Sequence, residues 1–248
     1  MRYALISDIH ANLPALDAVL ADVATRNVDA TYHLGDLVGY ASSANEVVER
    51  IRTVGIAGVA GNYDSTVAAG YKHCGCRSED ARQEELAHIS FAWTLAHTSD
   101  ESKKFLGALP FRLDLKPLGG HVGGPTVTLV HATPSSNLVY VTEDRSDDFL
   151  ARMAASAALH AGDVICLGHT HKPWHRVVDG VHFVNTGSVG RPKDGDARAG
   201  YVLLDVDAED VQVEFARLEY DIAATAAGIL AAGLPEEFSQ FLKSGGRS

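Results

Sequence analysis

Residues 3–12 read YALISDIHAN, and their pattern decides the class of fold. Residues 3–6 are an apolar run too short for a helix, so 2–7 reads as a buried strand. Asp8 and His10 follow in the loop 8–12, at the point where that strand ends. Pro14 then opens a helix whose Leu16, Val19, Leu20 and Val23 fall on one face. The same unit recurs twice. A strand over 30–34 ends in Gly35-Asp36, a helix covers 46–52, and a strand near 56–60 ends in Gly61-Asn62. Strand–loop–helix repetition specifies βαβ units and a mostly parallel sheet.

Working outward, 65–110 changes character. It is helix-rich and polar, with Leu86, Ile89 and Trp93 spaced three and four apart as a core-facing stripe, and it reads as an excursion covering the sheet. Strands resume over 111–116 and 126–131, with a glycine-rich hairpin turn, 119–124, between them. A helix near 145–160 precedes a strand over 163–167 that runs into GHTH at 168–171. Strands over 174–178, 181–185, 200–206 and 211–218 follow, and an Ala-rich tail, 221–248, reads as two helices, 221–232 and 235–242. No repeat or linker divides the chain, so 1–248 reads as a single domain.

Composition bounds the class. With 46% hydrophobic and 21% charged residues the chain is ordinary for a soluble globular protein. Its net charge of −11 argues against general nucleic-acid binding, since a phosphate backbone would be repelled. No apolar run reaches the roughly 20 residues of a membrane span, and no stretch reads as a signal peptide. Three cysteines, Cys74, Cys76 and Cys166, are too few for a disulfide framework and point to a reducing, cytoplasmic setting. His73, Cys74 and Cys76 invite a zinc reading, but Cys-x-Cys without a distant second pair favours a structural or surface role. His33 reads as a packed histidine, and His88 and His97 as solvent or packing positions.

Seven residues carry the chemistry: Asp8, His10, Asp36, Asn62, His131, His169 and His171. Each sits at the end of an expected strand, and each offers a hard oxygen or an imidazole nitrogen. That mixture suits Mn2+, Fe or Zn2+, and pairs of such ions bind and activate phosphate esters. Asp36 is placed to bridge two ions, and Asn62 adds an oxygen without adding charge.

The ordered set DIH, GDLVGY, GNYD, VHATP, GHTH and NTGSVG, across about 1–206, resembles the calcineurin-like metallophosphoesterases, and within them the small prokaryotic phosphodiesterase-type branch. The resemblance implies an α/β fold, an α/β/β/α sandwich of two mixed sheets flanked by helices, with the site at the carboxyl edges of the strands. It assigns one metal to Asp8, His10 and His171, the other to Asn62, His131 and His169, and Asp36 to both. It also implies a bridging hydroxide as nucleophile.

One position departs from the family. GNYD carries Tyr63 where the pattern has a histidine that stabilises the transition state or protonates the leaving group. A phenol with a pKa near ~10 is a poor acid, so diesters with good leaving groups should suffer least. Asp64 is expected to orient its neighbours. Asn12, Arg191 and Lys193 are candidates for contacting a small phosphoester substrate. The leading expectation is a phosphodiesterase. The alternatives are a phosphomonoesterase, a dinucleoside polyphosphate hydrolase, or a non-catalytic scaffold of the same fold. The Ala-rich tail leaves a homo-oligomer open.

Overall fold

Tyr3 and Leu5 point to one side of the first strand and Ala4 and Ile6 to the other, and all four are buried. A strand covered on both faces needs a second sheet on one side and helices on the other. The computed structural model, which describes residues 1–76, 80–116, 124–207 and 210–246, has both.

The chain runs β1 (Arg2–Ile6), α1 (Leu13–Val23), β2 (Ala30–His33), α2 (Ala44–Val54), β3 (Ala57–Gly58) and α3 (Asn62–Ala68). The helical excursion supplies α4 (Ala81–His97) and α5 (Asp100–Gly107). Then come β4 (Arg112–Leu115), β5 (Val127–Val130), α6 (Asp147–Ser156), β6 (Val164–Leu167), β7 (Trp174–Val178) and β8 (Val181–Asn185). The chain closes with β9 (Ala199–Val206), β10 (Val211–Leu218), α7 (Ile222–Ala231) and α8 (Glu236–Ser244). The turn expected at 119–124 lies outside the described residues except for Gly124.

Two five-stranded sheets form, in the orders β10-β9-β1-β2-β3 and β4-β5-β6-β8-β7. β1, β2 and β3 run parallel, as do β5, β6 and β8, while the outer strands β9, β10, β4 and β7 pair antiparallel. Both sheets are therefore mixed, not mostly parallel: the βαβ repetition extends only through each sheet's parallel strands, and hairpin-type pairing completes the edges. Leu5, Leu34 and Val59 from one sheet meet Leu129, Cys166 and Val184 from the other in an apolar seam. Ala4, Ile6 and Leu203 face α1, α2 and the terminal helices, and Ile165 and Phe183 face α6. The result is an α/β/β/α sandwich.

Three local expectations change. α4 buries Leu86, Ala87, Ser90, Phe91 and Thr94, whereas Ile89 and Trp93 are half-buried on its flank. The buried stripe is partly polar because Ser90 serves other chain segments, accepting from Tyr40 N–H at 2.9 Å. Trp93 instead donates to the Ala232 carbonyl at 3.1 Å, tying the excursion to the C-terminal helices. The tail packs on its own chain: Ile229, Leu234, Phe238 and Leu242 join the core beside α1 and α2. Finally, Cys74 and Cys76 are joined as a disulfide, which the cysteine count did not anticipate, while Cys166 is free and buried. Among the described residues no helix is long and apolar enough to cross a membrane.

Candidate metal centre

The loops after β1, β2, β3, β5 and β6 leave the carboxyl ends of the parallel strands and converge. Their backbones are unusual. Asp8, His10, Asp36, His169 and His171 have φ of 51°, 50°, 54°, 66° and 59°. This left-handed region costs a non-glycine residue on the order of 1–3 kcal/mol, and such strain gathers where structure serves chemistry. Loop-to-loop hydrogen bonds hold it: Asp8 N–H to Gly35 O at 3.0 Å, His10 N–H to Asp36 O at 3.0 Å and Gly190 N–H to Asp8 O at 3.1 Å.

Asp8, His10 and His171 form one group, and Asp36, His131 and His169 another, the ligand-type atoms of each lying within 4.8 Å of one another. The histidines are oriented from behind. His10 Nδ1 pairs with Val38 O at 3.1 Å, His131 Nδ1 with Leu34 O at 2.8 Å and His171 Nδ1 with Arg191 O at 2.6 Å. A carbonyl only accepts, so each Nδ1 carries a proton; in His10 and His171, whose pKa burial lowers, Nε2 then turns a lone pair inward, whereas against the pull of burial Asp36 and Asp8 raise the pKa of His131.

This creates a crowding of lone pairs. His10 Nε2 and His171 Nε2 are 3.1 Å apart, and Asp8 Oδ1 is 3.2 Å from His171 Nε2. Burial draws His171 down to about 4, so no proton on Nε2 mediates these contacts. Asp8 Oδ1 and His169 Nε2 are buried without a hydrogen-bond partner. In the other group His131 Nε2 stands 3.1 Å from Asn62 Oδ1 and 3.2 Å from His169 Nδ1. Asp36 Oδ2 lies 3.7 Å from His10 Nε2 and 3.6 Å from His131 Nε2, between the two groups. Such convergence is unfavourable without positive charge at its centre, and the donor set fits a pair of cations.

The carboxylates tell the same story. Burial tends to raise Asp8, but His171, His131 and His10 outweigh it and hold the carboxyl below its usual range. Burial raises Asp36, and the nearby Asp8 and Asp64 add to the effect. Two buried carboxylates at one site cannot both ionise at low cost without a counter-charge.

Asp64 lies under this floor, fully buried, accepting from the N–H groups of Asp36 (2.8 Å), Leu37 (2.9 Å) and Gly61 (2.9 Å). These bonds tie the Asp36 turn to the start of α3. The glycines of GDLVGY, GNYD and GHTH follow from close approach. A Cβ on Gly61 would stand 2.1 Å from Asp36 Oδ1, and one on Gly168 2.4 Å from Asp8 Oδ2.

Above the floor is a cavity of about 310 Å³, whose lining includes His10, Asp36, Asn62, His169 and His171. Arg191 and Lys193 line it too. The Arg191 guanidinium is buried and lies 3.8 Å from the ring centres of both Tyr40 and Phe241. Among the described residues no carboxylate pairs with it.

Two candidates sit differently from expectation. Asn12 is fully buried and does not line the cavity. Its Oδ1 caps α1 by accepting from Ala15 N–H (3.2 Å) and accepts from Thr225 Oγ1 (2.8 Å), and its Nδ2 donates to Gly190 O (2.9 Å) and Tyr220 Oη (3.1 Å). Every polar atom of the side chain is used, so it is a clamp between α1, α7 and the 188–193 loop. Tyr63 does line the cavity, and its ring packs edge-on against His10 with centres 5.6 Å apart. Its hydroxyl donates to Ser90 Oγ at 3.3 Å, turned into the α4 wall. Burial and the neighbouring Tyr40 raise its pKa well above the ordinary phenol value.

Sequence reasoning missed Tyr40, Tyr140, Phe241 and Cys76, which all line the cavity. Tyr40 stood inside a quoted motif, and Cys76 in a cysteine pair read as structural or surface. Phe241 comes from the far end of the chain, and no local pattern announces it.

Comparison with known proteins agrees with this geometry. Residues 1–209 match the family model described as the calcineurin-like phosphoesterase superfamily domain. An uncharacterised protein of Methanocaldococcus jannaschii is 34% identical over 94% of this chain and 93% of its own. The crystal structure of a metallophosphoesterase from Sphaerobacter thermophilus superposes with a TM-score of 0.76 at 32% identity, covering 99% of both chains. A hypothetical protein of Pyrococcus horikoshii shares the fold, with a TM-score of 0.82 at 22% identity over 100% of this chain and 99% of that one. Ligand-type atoms gathered at two points beside the strand ends and a family match across most of the chain place this protein in the calcineurin-like phosphoesterase superfamily.

Proposed function

We propose that this protein is a dinuclear metal-dependent phosphodiesterase acting on a small substrate. The observation that carries the reading is the position of Asp36 Oδ2, within 3.7 Å of a histidine from each group. Asp8, His10 and His171 would hold one ion, Asn62, His131 and His169 the other, and Asp36 both. The mixed oxygen and imidazole donors suit Mn2+, Fe or Zn2+. When bound, two such ions supply an activated water and offset the charge of the phosphoryl group.

The chain's own residues do the rest. Arg191, with no carboxylate paired to it among the described residues and two aromatic rings against its guanidinium, would bind an anion, and Lys193 adds charge beside it. The cavity is at the small end of ligand sites, which favours a compact ester over a polymer. Tyr63 offers no proton for a leaving group, because its hydroxyl is tied to Ser90 and its pKa is raised. A diester whose leaving group departs unaided suits this site better than an alkyl monoester.

The test is hydrolysis of an aryl phosphodiester against the matching monoester, using Mn2+-reconstituted and chelated protein. Diester turnover well above monoester turnover is expected, abolished by chelation. Tyr63→His, which places a group titrating near neutrality at that position, should raise monoester turnover roughly tenfold or more. Monoester turnover equal to diester turnover in the unaltered protein would overturn the diester assignment. Tight metal binding with no hydrolysis of either ester would favour a scaffold.

A further inference from the structure

The segment His73-Cys74-Gly75-Cys76 has no part in the reading above, yet it abuts the floor. Asn62 Nδ2 donates to Cys76 Sγ at 3.2 Å and to the Cys74 carbonyl at 3.4 Å. The other end of the same amide, Oδ1, faces His131 Nε2 at 3.1 Å. The cysteines therefore determine which way the Asn62 amide turns.

The local geometry suits a bridge that opens and closes. Gly75 separates the two cysteines with a φ of +76°, a turn that brings their Cα atoms to 5.3 Å, within the span of a disulfide. Cys76 N–H donates to Cys74 Sγ at 3.2 Å. Cys74 is buried, while Cys76 is half-exposed and lines the cavity, within reach of a small solute.

We propose that Cys74 and Cys76 are a reversible thiol–disulfide modification site that controls how firmly Asn62 is held for its metal. The inference rests on the assignment of Asn62 as a ligand. Closure converts two thiols to one disulfide, releasing two protons and two electrons. A low-molecular-weight disulfide is the oxidant: its S–S bond breaks as the Cys74–Cys76 bond forms, and it leaves as two thiols. In the bridged form Cys76 Sγ and the Cys74 carbonyl hold the amide nitrogen, so Oδ1 is presented to the cation. In the dithiol form the turn is released and Asn62 loses those anchors. Partners behind a ligand are worth about 10–100-fold in metal affinity. The bridged protein is thus the tighter metal binder.

The full chain, treated with oxidised glutathione or with a phosphine reductant, would be unfolded and alkylated, and its mass measured. Closure leaves one cysteine, Cys166, to label, against three after reduction. Mn2+ titration of the folded forms should show the weaker of two ions bound about tenfold or more tightly in the bridged form. Cys76→Ser and Cys74→Ser should each match the reduced protein under both treatments. Three labels after oxidation would overturn the bridge. Equal Mn2+ affinity of the bridged and reduced forms would overturn the coupling while leaving the metal assignment standing. No Mn2+ binding in either form would overturn the metal assignment and the coupling with it.

Discussion

The floor of the cavity comes from strand ends that carry their ligand-type groups within a few residues of a parallel strand. Its walls come from helices that reach it through packing. Asp8, His10, Asp36, His169 and His171 keep their positions because hydrogen bonds between neighbouring loops, and the Asp64 carboxylate beneath, hold left-handed backbone in place, while Asn62 opens α3 and His131 follows β5. Tyr63 and Arg191 are set by partners far away in sequence. Ser90 on α4 takes the Tyr63 hydroxyl, and Phe241 on α8 stacks on Arg191. The family match ends at residue 209, before α7 and α8, so Phe241, one of the two rings against Arg191, lies outside the matched residues. The difference teaches where change is affordable. On the proposed function, floor geometry would admit little variation without loss of metal, whereas changes in the walls would alter the substrate and leave metal binding intact.

The comparison breaks most cleanly at Asp36. Asp36→Asn removes the charge between the two groups and should lower diester turnover by about 10³-fold or more, with loss of bound metal by elemental analysis. On the wall, Arg191→Ala should keep full metal content and lower kcat/KM about 10–100-fold, the worth of a charge-assisted contact. Metal loss in that variant would erase the distinction between floor and wall.

A pH series tests the support beneath the floor. His33 ends β2, is fully buried, and has both ring nitrogens unpartnered. Burial lowers its pKa from 6.5 to about 3. Between those values the unfolded chain binds a proton that the folded chain does not. The stability from keeping His33 neutral is therefore complete above pH 6.5 and is lost as pH falls towards 3. The slope is at most about 1.4 kcal/mol per pH unit. Urea unfolding at pH 7 and pH 5 should show a flatter dependence for His33→Leu than for the natural protein; equal slopes would refute it. The smallest effect belongs to Phe241→Ala. Losing one ring of the stack is worth about 0.5–2 kcal/mol, so KM should rise a few-fold with metal content unchanged.

Most of the floor was legible because its signals are local. Aspartate or histidine just after a short apolar run, and glycine just before a ligand, are requirements that neighbouring residues express together. The glycine signal has a visible cause, since a Cβ at Gly61 or Gly168 would collide with Asp36 or Asp8. Strand and helix positions were legible for the same reason. Asn12 misled because a polar residue two positions after a ligand-bearing histidine looks available for substrate, and its four partners come from residues 15, 190, 220 and 225. Cys74 and Cys76 misled because a count of cysteines is silent about a turn that places two of them together.

The sequence by itself determined the class of fold, where the seven ligand-type residues fall and that a tyrosine stands at position 63, because each is written in a short stretch around a strand end. Tertiary structure alone decided that Tyr63 turns its hydroxyl to Ser90, that Arg191 packs against Tyr40 and Phe241, and that Cys76 touches Asn62. Those contacts join segments whose positions are fixed by burial of apolar surface, a force without direction or sequence signature. Only the folded chain shows which side chains that burial brings to the cavity.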